Sequence, residues 1–304
     1  MISDIFIEKQ NIVDNIKEKA WKRKKQQTRS KICLPKHLKC RINTQYDTDK
    51  IIIFSGYSKV MTTIDLNHLN SVKNALLFPD YLNCQISMCK IPNEKVFCFE
   101  NVPNYHYSFT INPENKIEIL GQGLSCYCSG SIYYNNCVYC FGGVTSDWEI
   151  LRRCAKFDLN TKKWEYFTSM PTVSTRCSCA IFQNKIFVSG YHHHHLYEYD
   201  PISDSYTEIL INLKNYFYTK ILCANENRVI LIEACGNIYE ADKSNPYNWR
   251  NIGISYVNPS DLMYYGIYYQ DSFYFIMKNC KLYKFEFLTN ISKSIKDDIK
   301  IKLH

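Results

Sequence analysis

The chain predicts an all-β fold: a six-bladed β-propeller of four-stranded antiparallel blades, preceded by a short basic amphipathic helix. Three observations lead there. Strand-length apolar runs separated by polar turns fill most of the 304 residues, a unit recurs every 42 to 48 residues, and six such units use up the chain.

The clearest unit runs from Cys177 to Ile209. It reads as an apolar strand, a polar turn at Gln183-Asn184-Lys185, a second strand ending at Gly190, and a loop. A third strand then closes on Tyr199-Asp200, and a short fourth strand carries Tyr206. The preceding unit, from Gly130, has the same order: a strand, the turn Asn135-Asn136, a strand into Gly142-Gly143, a strand ending at Asp158, then Trp164. The first turn recurs at Asp49, Glu94, Asn136, Asn184, Asn227 and Asp271. The residue closing the third strand recurs independently at Asp65, Asn112, Asp158, Asp200, Asp242 and Glu286. The expected blades are therefore 39–78, 84–123, 126–169, 177–210, 219–253 and 262–296, with a tail at 297–304. Glycines after the second strand suit a left-handed exit. The fourth-strand aromatics Trp164, Tyr206 and Trp249 are suited to packing between neighbouring blades.

The stretch Phe141-Gly142-Gly143, Phe157-Asp158, Trp164, Met170-Pro171, Arg176 and Tyr191 resembles the kelch motif, with its double glycine, Tyr-Asp pair, tryptophan and Met-Pro lead into the next blade. Blades three and four carry the pattern; the others match in strand order and spacing. The resemblance implies a domain that binds a protein partner on the face formed by the loops joining strands two to three and strands four to one.

The net charge of +8 is local. Residues 1–41 hold twelve Lys or Arg against four Asp or Glu, and the rest of the chain carries 25 of each. The repeats thus have no basic excess to attract phosphate, and no nucleic-acid partner is expected. Residues 2–25 contain no Gly or Pro, and Ile2, Ile5, Phe6, Ile12, Val13, Ile16 and Ala20 recur at helical spacing, which predicts a basic helical arm over residues 1–30. No run is long enough to cross a bilayer, so neither export nor membrane insertion is expected and the location expected is cytoplasmic.

Fifteen cysteines are an odd number in a large chain and read as reduced, buried thiols. Cys126 with Cys128, and Cys177 with Cys179, are spaced to share one face of a strand. The Cys137/Cys140 pair is a lone CxxC, and the adjacent histidines 192–195 point in different directions, so no metal and no cofactor is expected. No nucleophile-base set or carboxylate pair stands out, which makes an enzyme the weaker reading. The predicted loops of the binding face are 57–59, 101–106, 144–148 and 191–195, with 173–176, 216–218 and 258–261. Within them the candidate partner-binding residues are Trp148, Arg176, Tyr191, His192, His193 and Tyr218. A scaffold or adaptor is the first expectation. A substrate receptor of a ubiquitin ligase, or an enzyme with a site in the propeller channel, are the alternatives.

Overall fold

The computed structural model describes residues 41–43, 50–55, 60–65, 67, 70–75, 87–93, 95–102, 105–111, 117–124, 126, 128–191, 195–211, 220–233, 237–254, 262–269, 272–277 and 282–286. The predicted arm, the tail, His192, His193 and Tyr218 lie outside them.

Every regular element among the described residues is a strand. A three-residue strand β1 (Arg41–Asn43) comes first. It is followed by β2 (Lys50–Ser55), β3 (Val60–Asp65) and β4 (Asn70–Ala75), which form one antiparallel sheet. The second sheet holds β5 (Ser87–Lys90), β6 (Val96–Val102), β7 (Tyr105–Ile111) and β8 (Ile117–Gln122). The third holds β9 (Gly130–Tyr134), β10 (Cys137–Val144), β11 (Ile150–Asp158) and β12 (Lys163–Phe167). The fourth holds β13 (Thr175–Phe182), β14 (Lys185–Tyr191), β15 (Leu196–Asp200) and β16 (Ser205–Ile209). The fifth holds β17 (Lys220–Ala224), β18 (Arg228–Glu233), β19 (Asn237–Asp242) and β20 (Asn245–Ile254). In the sixth, β21 (Leu262–Tyr269), β22 (Ser272–Met277) and β23 (Leu282–Glu286) pair in order.

The four-stranded antiparallel meanders are compatible with propeller blades. Their turns follow from local chemistry. Asn135 (φ 46°) with Asn136 (φ 61°), and Gln183 (φ 51°) with Asn184 (φ 60°), hold the left-handed backbone of a two-residue hairpin turn. At the other hairpin, the carboxylate that closes the third strand caps the turn: Asp158 Oδ1 accepts from Asn160 N at 2.7 Å and Thr161 N at 3.1 Å. Asp65, Asp200 and Asp242 accept in the same way from Asn67, Ile202 and Ser244. The recurring acid of the repeat is thus a turn-former.

Side-chain alternation on the second strand of a sheet sends residues to two different neighbours. On β10, Val138 and Cys140 pack with Cys89, Phe97 and Phe99 of the second sheet, whereas Tyr139 and Phe141 pack with Cys177, Cys179, Ile186 and Val188 of the fourth. On β14, Ile186 and Val188 face the third sheet while Phe187 joins Leu222, Val229 and Leu231 of the fifth. The core therefore lies between successive sheets, and β10, β14 and β18 are buried on both faces. The fourth-strand aromatics close these seams, as expected from the sequence. Trp164 packs on Phe97 and Phe99 (ring centroids 6.1 and 5.3 Å apart), the Tyr206 hydroxyl is bonded with Cys154 Sγ at 3.3 Å, and Trp249 lies 6.4 Å from Phe187.

The first strands of the sheets are neighbours in succession: β5 beside β9, β9 beside β13, β13 beside β17, β17 beside β21, and β21 beside β1. β1 in turn pairs in parallel with β5, Arg41 opposite Ser87. Hydroxyls tie adjacent first strands together, Ser131 Oγ donating to Met88 O at 2.9 Å and Ser178 Oγ accepting from Leu222 N at 2.9 Å.

Two expectations are corrected. Cys126 and Cys128 are not on one strand face: both precede β9, and the left-handed backbone of Cys128 (φ 53°) breaks the extension. Most of the expected loop 101–106 is hairpin strand, with Asn101 opposite His106 and Val102 opposite Tyr105.

Candidate binding face

Gly142 and Gly143 end the inner part of β10 with φ of 59° and 115°. This exit lets the link that follows β12 cross the end of the strand. Gly143 N donates to Ser174 O at 2.8 Å, and a Cβ on Gly142 would lie 2.2 Å from that same oxygen. The link is then fastened along its length. Met170 N donates to Arg152 O (2.9 Å), Ser174 N to Leu151 O (3.0 Å), and Ser174 Oγ to Tyr191 O (3.3 Å). The Met170 side chain is fully buried under it.

Immediately beyond the link, a β-bulge between Thr175 and Ser178 places Arg176 at φ 52°. Its amide donates to Cys128 O at 2.7 Å, and Thr175 Oγ1 reaches the same carbonyl at 3.4 Å. The bulge re-aims one side chain. Cys177 goes into the core, while the Arg176 guanidinium lies over the Tyr191 ring, 5.6 Å from its centroid. Between β10 and β11 a tight loop is closed by Trp148 N donating to Thr145 O (3.1 Å), Thr145 N to Glu149 O (3.0 Å) and Glu149 N to Thr145 Oγ1 (3.2 Å). Trp148 stands at its tip, left-handed at φ 65° and 68% exposed.

Arg176 and Tyr191 form a pair, and Trp148 stands on the adjoining loop. Val173, 47% exposed on the link, opens the loop 173–176 that the sequence assigns to the binding face. The last histidine of the run is placed on the fourth sheet: His195 Nδ1 is bonded with Glu208 Oε1, and its ring stacks on Tyr197 at 5.7 Å.

The thiols are placed for packing. Of the ten described cysteines, eight are buried. Burial pushes the Cys126 thiol up to about 12, opposed by a bond with Ser129, and the Cys154 thiol up to about 11, opposed by Tyr206. The CxxC pair is split by the two-residue period of β10, Cys140 facing the second sheet and Cys137 the fourth. Among the described residues no group of three His, Cys, Asp or Glu side chains is arranged to hold a metal, and no helix is long and apolar enough to cross a membrane.

Residues 125–171 match the family model of the kelch motif. No curated protein matches the chain. The matched stretch contains the whole third sheet with its double glycine, Asp158, Trp164 and the buried Met170. The resemblance read from the sequence therefore holds over residues 125–171, where the chain matches the kelch motif.

Proposed function

We propose that the chain is a non-catalytic protein-binding module of the cytosol, a scaffold or adaptor. In this reading residues 39–296 form a six-bladed propeller that presents its strand two-to-three and four-to-one loops to a protein partner. The succession of first strands from β5 to β21, and through β1 back to β5, supports ring closure. The observations that carry the binding assignment are the Arg176–Tyr191 pair and the exposed Trp148. Both stand on backbone already fastened by hydrogen bonds, so little ordering entropy is lost when a partner docks. Indole, phenol and guanidinium are also the groups most enriched among binding hot spots.

The test is partner capture followed by affinity measurement. Arg176→Ala with Tyr191→Ala should weaken a captured partner by about 1–4 kcal/mol. Ile202→Ala, at the β15–β16 turn on the opposite face and 90% exposed, should leave the affinity unchanged. Full binding by the double variant, in protein that circular dichroism shows to be folded, would remove the assignment. Recovery of ligase subunits among the partners would select the ubiquitin-ligase receptor form of this function. A stoichiometric metal in the purified protein would favour an enzyme instead.

A further inference from the structure

The loop that carries Trp148 reads Thr145-Ser146-Asp147-Trp148-Glu149, and residues 146–149 are all exposed. A serine or threonine followed three residues later by a carboxylate occurs among the described residues at Thr62, Ser146 and Ser205. The structure separates these three. Thr62 lies in the middle of β3, flanked by β2 and β4, so its backbone is committed on both sides. Ser205 is paired with Asp200, its hydroxyl bonds with Ser203 Oγ, and the acid three residues on, Glu208, is engaged with His195. Ser146 is at a hairpin tip, outside the strand ladder, with carboxylates at both the next position and the third. Its neighbour Thr145 is excluded because its hydroxyl accepts Glu149 N and closes the turn.

We propose that Ser146 is a phosphorylation site, modified by a protein kinase whose substrate groove is basic and reads the carboxylates of Asp147 and Glu149. Ser146 Oγ attacks the γ-phosphorus of a nucleoside triphosphate, its proton passes to the kinase's catalytic base, and the bond to the bridging oxygen breaks to release the diphosphate. The product adds about −1.5 to −2 charge two residues from the exposed indole. With Asp147 and Glu149 already there, the added charge repels an acidic partner and recruits a basic one to this rim of the molecule.

The experiment uses the folded full chain, an acid-directed kinase and labelled ATP, with the phosphopeptide located by mass spectrometry. Phosphate on Ser146 is expected in the peptide that contains it. Ser146→Ala should abolish it, Ser205→Ala should leave it unchanged, and Glu149→Gln should slow it roughly tenfold, the value of one charge-assisted contact. Undiminished labelling of Ser146→Ala, labelling that requires prior denaturation, or a rate unaltered by Glu149→Gln would each overturn the proposal. These readouts do not depend on any binding partner.

Discussion

Trp164 acts both as an apolar plug and as a donor. Its ring sits among Phe97, Phe99 and Phe157, and its indole nitrogen lies 2.9 Å from both Ser108 Oγ and Gln122 O of the second sheet. Removing the donor leaves Ser108 Oγ still donating to Gln122 O at 2.9 Å, so Trp164→Phe should lower unfolding stability by only about 1 kcal/mol. Trp164→Ala opens a cavity as well and should cost about 3–5 kcal/mol, both read from denaturant midpoints. If the two variants are equally stable, the seam is not packed as described. Gly142 is a different case: a Cβ there meets a backbone oxygen at 2.2 Å and the backbone is left-handed, so neither can yield cheaply. Gly142→Ala should lower stability and displace the 169–174 link, taking Arg176 with it. The sequence marked Trp164 and Gly142 as recurring. That Gly142 clears space for Ser174 O depends on a chain thirty-two residues away, which no local pattern reveals.

At the scale of the element, the hairpin turns show what repetition in sequence encodes. Asp65, Asp158, Asp200 and Asp242 recur because each caps the turn that follows its own strand, a local arrangement complete within two or three residues. Asp158→Ala should therefore cost about 1 kcal/mol, whereas Asp158→Asn, which keeps the acceptor, should cost less; equal losses would argue against capping. Strands also explain the thiols. Cys89, Cys140, Cys154, Cys177 and Cys179 project into seams between sheets, and burial pushes up the thiols of Cys89, Cys140, Cys154 and Cys223. In timed alkylation of native protein, the half-buried Cys128 and Cys137 should label first among the described cysteines, and the buried set only on unfolding. Early labelling of Cys140 would contradict the packing.

At the scale of the whole molecule, stability lies in the joints between sheets. One such joint is electrostatic. Asp204 accepts from the Tyr199 hydroxyl at 2.8 Å and from Thr168 N, which follows β12, at 3.0 Å. Burial on its own would raise this carboxyl, and the bonds from Tyr199 and Thr168 outweigh it, leaving Asp204 lowered from its usual value. A lowered folded-state value means that the contribution is fully present above the unfolded carboxyl's value of about 4 and is lost as pH falls through the folded one. Acid titration of stability should accordingly be shallower for Asp204→Asn than for wild type in that window, and identical curves would remove the role. A fragment beginning at Lys36 is expected to unfold cooperatively, because each sheet is completed by its neighbours and β1 remains to join β5 and β21. By itself, the sequence determined the strand order, the turn chemistry, the unit length and the seam aromatics, since each follows from residue types within a few positions of one another. Only the tertiary structure decided that β1 pairs with the second sheet, that Cys137 and Cys140 face opposite seams, and that a bulge at Arg176 lays its guanidinium on Tyr191. Those outcomes depend on which sheets become neighbours, and contacts between residues far apart in the chain leave no periodic trace in it.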